Sequence, residues 1–347
     1  MTRRKQSKPD WPVVAAAFAA RISHTALHPE AMLRARAEYL RETRRGGRAS
    51  RWALAFSGGA DSLALLLTFW AEGPGRWGRD FVVLHFNHRL RGRAAAADEK
   101  FCQEVCAALD VKFVAGRWSK APRQASEGAA RAARMEFFRR EMKRRKIRLL
   151  WLAHQQDDIA ESMLMRLARG SGAGGLAAPR PVQAMEDGRL HLRPLLTLKK
   201  TEIVAALKKA GAAWREDASN ASGDHFRNRV RHTVIPAWQK AAGRDAQAGA
   251  ALTRGLIEED DAALERWADQ LGLLKRGVLD VSACKGVPRA VVRRVLHRWL
   301  LAVRPETDLS RQGFALLLAA VERSKDTRFS LGSGFAVIRR GRLGYAG

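Results

Sequence analysis

The sequence predicts an α/β fold: a parallel β-sheet with helices packed on both faces, joined to a mainly helical C-terminal domain that ends in a hairpin. Three observations predict it. Between Trp52 and Leu167, short apolar runs alternate with longer stretches of helical periodicity, the pattern of strands joined by crossover helices. From about Lys199 that alternation gives way to amphipathic helical patterns with basic faces. The end of the chain, "TRFSLGSGFAVIRRGRLGYAG", breaks the pattern again, with two β-like runs flanking "RRGR".

Residues 1–50 read as a basic N-terminal extension. Its start resembles a signal peptide, basic and then apolar, but the run Val13–Ala20 is short and closed by Arg21. We read it as an amphipathic helix with Pro12 in its first turn. A basic linker, Arg41–Arg51, follows. Then come the strand "RWALAF", the helix "DSLALLLTFWAEG" and the strand "DFVVLHFNH". The helix "AAADEKFCQEVCAALD" and the strand "VKFVAGRW" succeed them. The helix "SEGAARAARMEFFRREMKRRK", the strand "IRLLWLAH" and the helix "DDIAESMLMRLARG" complete the alternation. "KKTEIVAALKKAG" is an amphipathic helix stopped at Gly211, and "REDASNASGDHFRN" is a polar loop. The expected domains are therefore 51–225 for the sheet and 226–347 for the helical part.

Composition narrows the function classes. A hydrophobic fraction of 46% supports a packed core. Three cysteines in 347 residues fit a reducing compartment and give no disulfide framework. No stretch approaches the ~18 apolar residues of a membrane span, so no membrane partner is expected and the chain reads as cytoplasmic. Lys and Arg number 63 against 35 Asp and Glu, a formal charge of +28. Such an excess fits a polyanionic partner, nucleic acid first. Charge alone does not separate RNA from DNA or anionic lipid, and an arginine bias spread over a solvated surface gives the same total.

Chemistry concentrates in two places. The turn Ser57-Gly58-Gly59-Ala60-Asp61-Ser62 lies between a strand and a helix. Free backbone N–H groups at a helix N-terminus, glycines that admit close approach and two hydroxyl donors make an anion cradle. It has no lysine, so it is not a G-x-x-x-x-G-K-[ST] loop. Asp61 repels phosphate unless a cation lies between, which points to Mg2+. The second place is "LAHQQDDIAES", where His154, Asp157, Asp158 and Glu161 open a helix at a strand's carboxyl end. Acidic residues in a first turn also serve as ordinary dipole complements; their place where open sheets bind ligands makes them site candidates. Gly170 to Gly175 spells GxGxxG but follows a helix, which fails the context of a dinucleotide fingerprint.

Taken with four further segments, these residues resemble the tRNA(Ile)-lysidine synthetase family of the PP-loop ATP pyrophosphatases. The loop Ser57–Ser62 is similar to the SGGxDS pyrophosphate loop, and His154-Gln-Gln-Asp157-Asp158 to the family's HxxDD. "LHFNHRLRG", "EGAARAARMEFF" (with Met135 where the family has tyrosine), "RLARGSGAGGL" and "WREDASNASGDHFRNRVRHTVIP" match in order, from Trp52 to Pro236. The resemblance implies a Rossmann-like, adenine nucleotide α-hydrolase-like sheet and the use of ATP and Mg2+. It also implies adenylation of the wobble cytidine in a CAU-anticodon tRNA(Ile), followed by attack of L-lysine to give lysidine, AMP and pyrophosphate. It assigns Ser57, Gly58, Gly59, Ala60, Asp61 and Ser62 to the nucleotide, and Asp61 and Asp158 to the metal. Asp61, His154, Asp158, Arg131 and Arg227 become the catalytic candidates, with Glu161, Arg91 and Arg134 on substrate. The helical domain would carry the tRNA, and a homodimer is compatible with the resemblance. The alternatives are another PP-loop tRNA-modifying enzyme or a non-catalytic RNA-binding protein on the same fold. Thiolating relatives need cysteine pairs that Cys102, Cys106 and Cys284 do not supply, and GMP and NAD synthetases lack the HxxDD and RNxxR context.

Overall fold

A computed structural model describes residues 9–22, 24–44, 52–76, 81–119, 121–122, 125–216, 226–304 and 309–347. Most of the basic linker and the "DASN" part of the polar loop lie outside them. In order, the first elements are α1 (Trp11–Ala19), α2 (Pro29–Arg44), β1 (Trp52–Ala55), α3 (Ala60–Arg76), β2 (Phe81–Asn87) and α4 (Arg93–Ala108). Next are β3 (Lys112–Arg117), α5 (Glu127–Arg144), β4 (Leu149–Trp151), α6 (Gln156–Leu167) and the single turn α7 (Ala173–Leu176). β5 (Val182–Ala184), β6 (Leu190–Leu192) and α8 (Lys200–Lys209) follow. A run comprising α9 (Phe226–Arg229), a π-helical turn (Val230–Val234) and α10 (Ile235–Ala242) leads to α11 (Ala246–Leu271).

The six-stranded sheet has the order β3-β2-β1-β4-β6-β5. All its pairs are parallel except β5 with β6. The chain winds outward from β1 to β3 and then returns to the other side of β1 for β4. The carboxyl ends of β1 and β4 therefore flank the switch point, where an open α/β sheet leaves a crevice. Both predicted clusters, the turn after β1 and the residues after β4, sit there.

Strand alternation builds a core on each face. Trp52, Leu54, Phe81, Val83, Leu149 and Trp151 pack with α1, α3, α4 and α8. Ala53, Val82, Leu84 and Leu150 pack on Phe137, Phe138 and Met142 of α5. Trp52 stacks on Phe81 with centroids 4.3 Å apart, a pairing worth roughly 1 kcal/mol beyond its area.

Two expectations change. The N-terminal extension is built into the domain: Trp11, Val14, Ala15 and Phe18 of α1 are buried in the first core, because the helix lays its apolar face on α3. Asp10 caps it through the Val13 amide at 3.3 Å. The first residues of the expected linker, to Arg44, are the end of α2. The chain divides into two compact units, Met1–Arg254 and Gly255–Gly347, so residues 226–254 belong with the sheet, not with the helical part that was expected to start at Phe226. Val230, Ile235 and Ala250 pack with Ala160 and Met163 of α6, which holds that run in the first unit.

The second unit combines the rest of α11 with β7 (Leu274–Lys275), β8 (Val278–Asp280), α12 (Arg289–Val303), α13 (Arg311–Glu322), β9 (Thr327–Ser330), β10 (Phe335–Arg339) and β11 (Arg342–Ala346). The strands form one antiparallel sheet in the order β7-β8-β11-β10-β9. The expected hairpin is β10–β11, with Arg339 opposite Arg342. Its two-residue turn, Arg340-Gly341, has φ of 49° and 72°, as a tight hairpin of this hand requires. Trp299 is fully buried at the centre of this unit's core.

Candidate active site

The turn after β1 closes on itself through its hydroxyls. Ser62 Oγ donates to the Gly59 carbonyl at 3.0 Å and accepts the Ser57 amide at 3.2 Å. The two serine hydroxyls lie 3.0 Å apart. Gly58 holds φ at +89°, and a Cβ there would meet Cys102 Sγ at 3.1 Å; only glycine gives this backbone path without strain. Ala60 and Asp61 open α3, so the N–H groups of Gly59–Ser62 belong to a helix start and favour an anion.

The loop is braced from outside. The Arg215 amide donates to the Gly58 carbonyl at 2.9 Å. Arg215 Nε reaches Asp98 at 2.7 Å, and Arg91 Nη2 reaches the other oxygen of Asp98 at 2.9 Å. Arg91, a substrate candidate from sequence, is thus tied to α4 behind the loop and is not among the residues gathered around Asp158. The Asn87 amide group, at the end of β2, donates to Glu99 at 2.8 Å, and Asn87 Oδ1 accepts the Arg89 amide. Asn87 of the "HFNH" motif therefore shapes the chain after β2.

Across the switch point, α6 starts with a reciprocal cap. The Asp157 amide donates to Gln155 Oε1 at 2.6 Å, and the Gln155 amide donates to Asp158 Oδ2 at 2.9 Å. One oxygen of Asp158 is thereby fixed, and the other accepts from Arg227 Nη2 at 2.6 Å. Glu161, one turn on, is 1% exposed. It accepts from Arg227 Nε at 2.7 Å and from Arg231 Nε and Nη2 at 2.5 and 3.0 Å. Glu161, expected to meet a substrate ammonium, is held here in a double arginine clasp. Arg231, which sequence reasoning passed over, is the last residue of the RNxxR segment and one turn from Arg227, so both face Glu161.

Burial raises the Asp158 pKa, opposed by Arg227, with Asp61 adding to the rise. Asp61 is also raised by burial, opposed by Lys200. Arg227 loses some preference for charge through burial, but Asp158 and Glu161 outweigh this and hold its proton more tightly. Arg131 and Arg134 of α5 join the cluster. Burial and then the charge of Arg227 lower the pKa of Arg131, while burial, Arg131 and Arg227 bring that of Arg134 to about 10. Several guanidinium groups close enough to feel one another's charge are a ready receptor for an anionic group.

His154 has a defined tautomer. Arg193, 3% exposed at the end of β6, donates from Nε to His154 Nδ1 at 3.2 Å. A guanidinium has no acceptor, so Nδ1 carries the lone pair and Nε2 the proton. Burial, then Arg193, Arg131, Arg227 and Arg134, hold the imidazole pKa well below its ordinary value. His154 is a neutral Nε2–H donor. Arg193 is itself pinned, donating to the Arg180 carbonyl at 2.8 Å and to Gln183 Oε1 at 2.9 Å.

Among the described residues no three His, Cys, Asp or Glu side chains form a metal cage. A hard divalent cation of the Mg2+ kind keeps water and takes one or two carboxylates plus phosphate. Asp61 and Asp158 are two desolvated carboxylates, with Asp61 adding to the proton affinity of Asp158, and each oxygen can accept more than one partner. The donor set suits Mg2+. The thiols do not suit sulfur transfer: Cys102 and Cys106 are fully buried in the core, and burial pushes the Cys106 pKa up to about 12. Burial also pushes that of Cys284, in the other unit, to about 11.

The family model of the PP-loop domain matches residues 31–238. A tRNA(Ile)-lysidine synthase of Geobacter sulfurreducens is 37% identical over 278 residues, covering 76% of this chain and 57% of the relative. That of Solibacter usitatus is 34% identical over 260 residues, 72% of this chain and 56% of the relative. The chain thus spans little more than half the length of these curated relatives. Among solved structures, the U34-tRNA thiolase NcsA of Methanococcus maripaludis superposes with a TM-score of 0.47 at 13% identity, over 66% of this chain and 78% of that one.

Proposed function

The chain belongs to the PP-loop domain family, and we propose that it acts as a tRNA(Ile)-lysidine synthetase. ATP would adenylate the C2 carbonyl oxygen of the wobble cytidine in a CAU-anticodon tRNA(Ile), and the ε-amine of free L-lysine would displace AMP. The observation that carries the reading is the meeting of two clusters at the switch point. One is an anion cradle after β1, and the other is the neutral His154 with Asp158 and the arginines after β4 and on α5.

The backbone amides of Gly59–Ser62 and the serine hydroxyls hold pyrophosphate as the leaving group. Asp61 and Asp158 would hold Mg2+, which neutralises charge on that group. Arg131, Arg134 and Arg227 stabilise negative charge at the α-phosphate as it is attacked. His154 donates through Nε2–H to a reacting oxygen without changing its own charge. Glu161 holds Arg227 and Arg231 in place. The basic surface of the second unit would contact phosphates of the tRNA. The thiolating alternative is disfavoured by the buried thiols.

With a CAU-anticodon transcript, lysine and ATP, the protein is expected to release AMP and pyrophosphate, and Asp61→Ala to lose this by a factor of roughly 100 or more. Near-normal turnover of Asp61→Ala would remove Asp61 from the metal assignment.

A further inference from the structure

The Ser57–Ser62 cradle has no cation of its own, although a polyphosphate there would lie beside the carboxylate of Asp61. The structure supplies one from another helix. Lys200, the first residue of α8, places Nζ 2.7 Å from both oxygens of Asp61. They lie 139 residues apart in the chain.

The backbone of Lys200 is fixed, and its head group is held through the Asp61 carboxylate. Its amide donates to Asp157 Oδ1 at 3.2 Å, and the Lys199 amide donates to Glu202 Oε2 at 2.7 Å. Ile203 and Leu207 bury the inner face of α8. The Lys200 side chain is 39% exposed, and a flexible four-carbon stem carries its ammonium. Several cations near the site are committed to carboxylates, Lys199 to Asp245 at 2.5 Å, Arg215 to Asp98, and Arg227 and Arg231 to Glu161, while Arg131 and Arg134 of α5 belong to the cluster around Arg227.

We propose that Lys200 is the missing cation of the cradle, an ammonium that Asp61 shares with the pyrophosphate end of the nucleotide. Two cations compete for Asp61. Were Asp61 to hold a divalent ion, its grip on the ammonium would weaken, and a polyphosphate on the Gly59–Ser62 amides would be the anion for Lys200 to meet. Lys200 moves from carboxylate to phosphate as the metal–nucleotide enters, and returns to Asp61 when pyrophosphate leaves. Asp61 is thus never a bare carboxylate facing phosphate. This rests on the adenylation reading for the identity of the polyphosphate, but not on any step with tRNA or lysine.

Titration calorimetry with inorganic pyrophosphate and with Mg2+ alone tests it, without tRNA. Lys200→Met is expected to weaken pyrophosphate binding in the presence of Mg2+ about tenfold or more. It is expected to strengthen binding of Mg2+ alone, because Asp61 is released. Lys200→Arg should keep most of the pyrophosphate affinity, which guards against a general loss of fold. Opposite signs for the two ligands are a signature that structural damage does not give. Unchanged pyrophosphate affinity in Lys200→Met, or a parallel loss for both ligands, would overturn the proposal. If these shifts appear but no lysine enters tRNA, the functional reading fails and Lys200 keeps its role.

Discussion

Single residues in this site are defined by their partners more than by their type. His154 would titrate near neutrality on its own; burial, and then the guanidinium of Arg193 on Nδ1, make it a neutral donor through Nε2. Glutamine can place an amide N–H near the position of Nε2, whereas the shorter asparagine only reaches the position of Nδ1. His154→Gln is therefore expected to keep AMP formation within about tenfold, and His154→Asn to lose it about 100-fold or more, the usual cost of removing one aimed donor. Equal losses in the two variants would show that the imidazole acts in some other way. None of this was legible in the sequence. His154 was marked by its motif, but Arg193 lies 39 residues on and at the end of a different strand. Asp61 was legible as a carboxylate that needs a cation; that the cation in the structure is an ammonium from α8 was not.

Elements explain why these partners meet. β1 and β4 are adjacent and parallel, so the turns that follow them open on the same edge of the sheet. α6 carries Asp158 and Glu161 on one face, and the run from α9 through the π-helical turn supplies Arg227 and Arg231 to them. Glu161 is buried and holds both guanidinium groups, so Glu161→Ala leaves two cations without their carboxylate. It is expected to destabilise the first unit by about 3 kcal/mol, in the range for breaking a buried ion pair. A denaturation midpoint that does not move would show that this clasp adds nothing to folding. The first four strands and their helices were legible because each has a long apolar run and a clear turn. β5 and β6 are three residues each, and β7 only two, too short for a periodic signal; they form because a neighbouring strand offers a hydrogen-bonding edge. The place of α1 in the core was hidden for another reason: its small apolar face gains a partner only when α3 is present.

At the scale of the whole molecule, the positive charge divides into internal and outward parts. In the second unit Arg294 pairs with Asp261 and Glu265, and Arg298 with Glu265 and Asp269. These acids recur along one face of α11 and clamp α12, so part of the basic pattern read as a nucleic-acid surface holds the unit together. The excess remains large, and a polyanionic substrate remains the partner that the composition favours. No helix among the described residues is long and apolar enough to cross a membrane. The proposed activity needs the two clusters at the switch point to adenylate a tRNA base that lysine then attacks. The most direct measurement is incorporation of labelled lysine into a CAU-anticodon tRNA(Ile) transcript with ATP, beside the same transcript carrying U for the wobble C. The account expects incorporation into the first, one AMP released per lysine, and none into the second. Absence of incorporation into the CAU transcript, or equal incorporation into both, would contradict it.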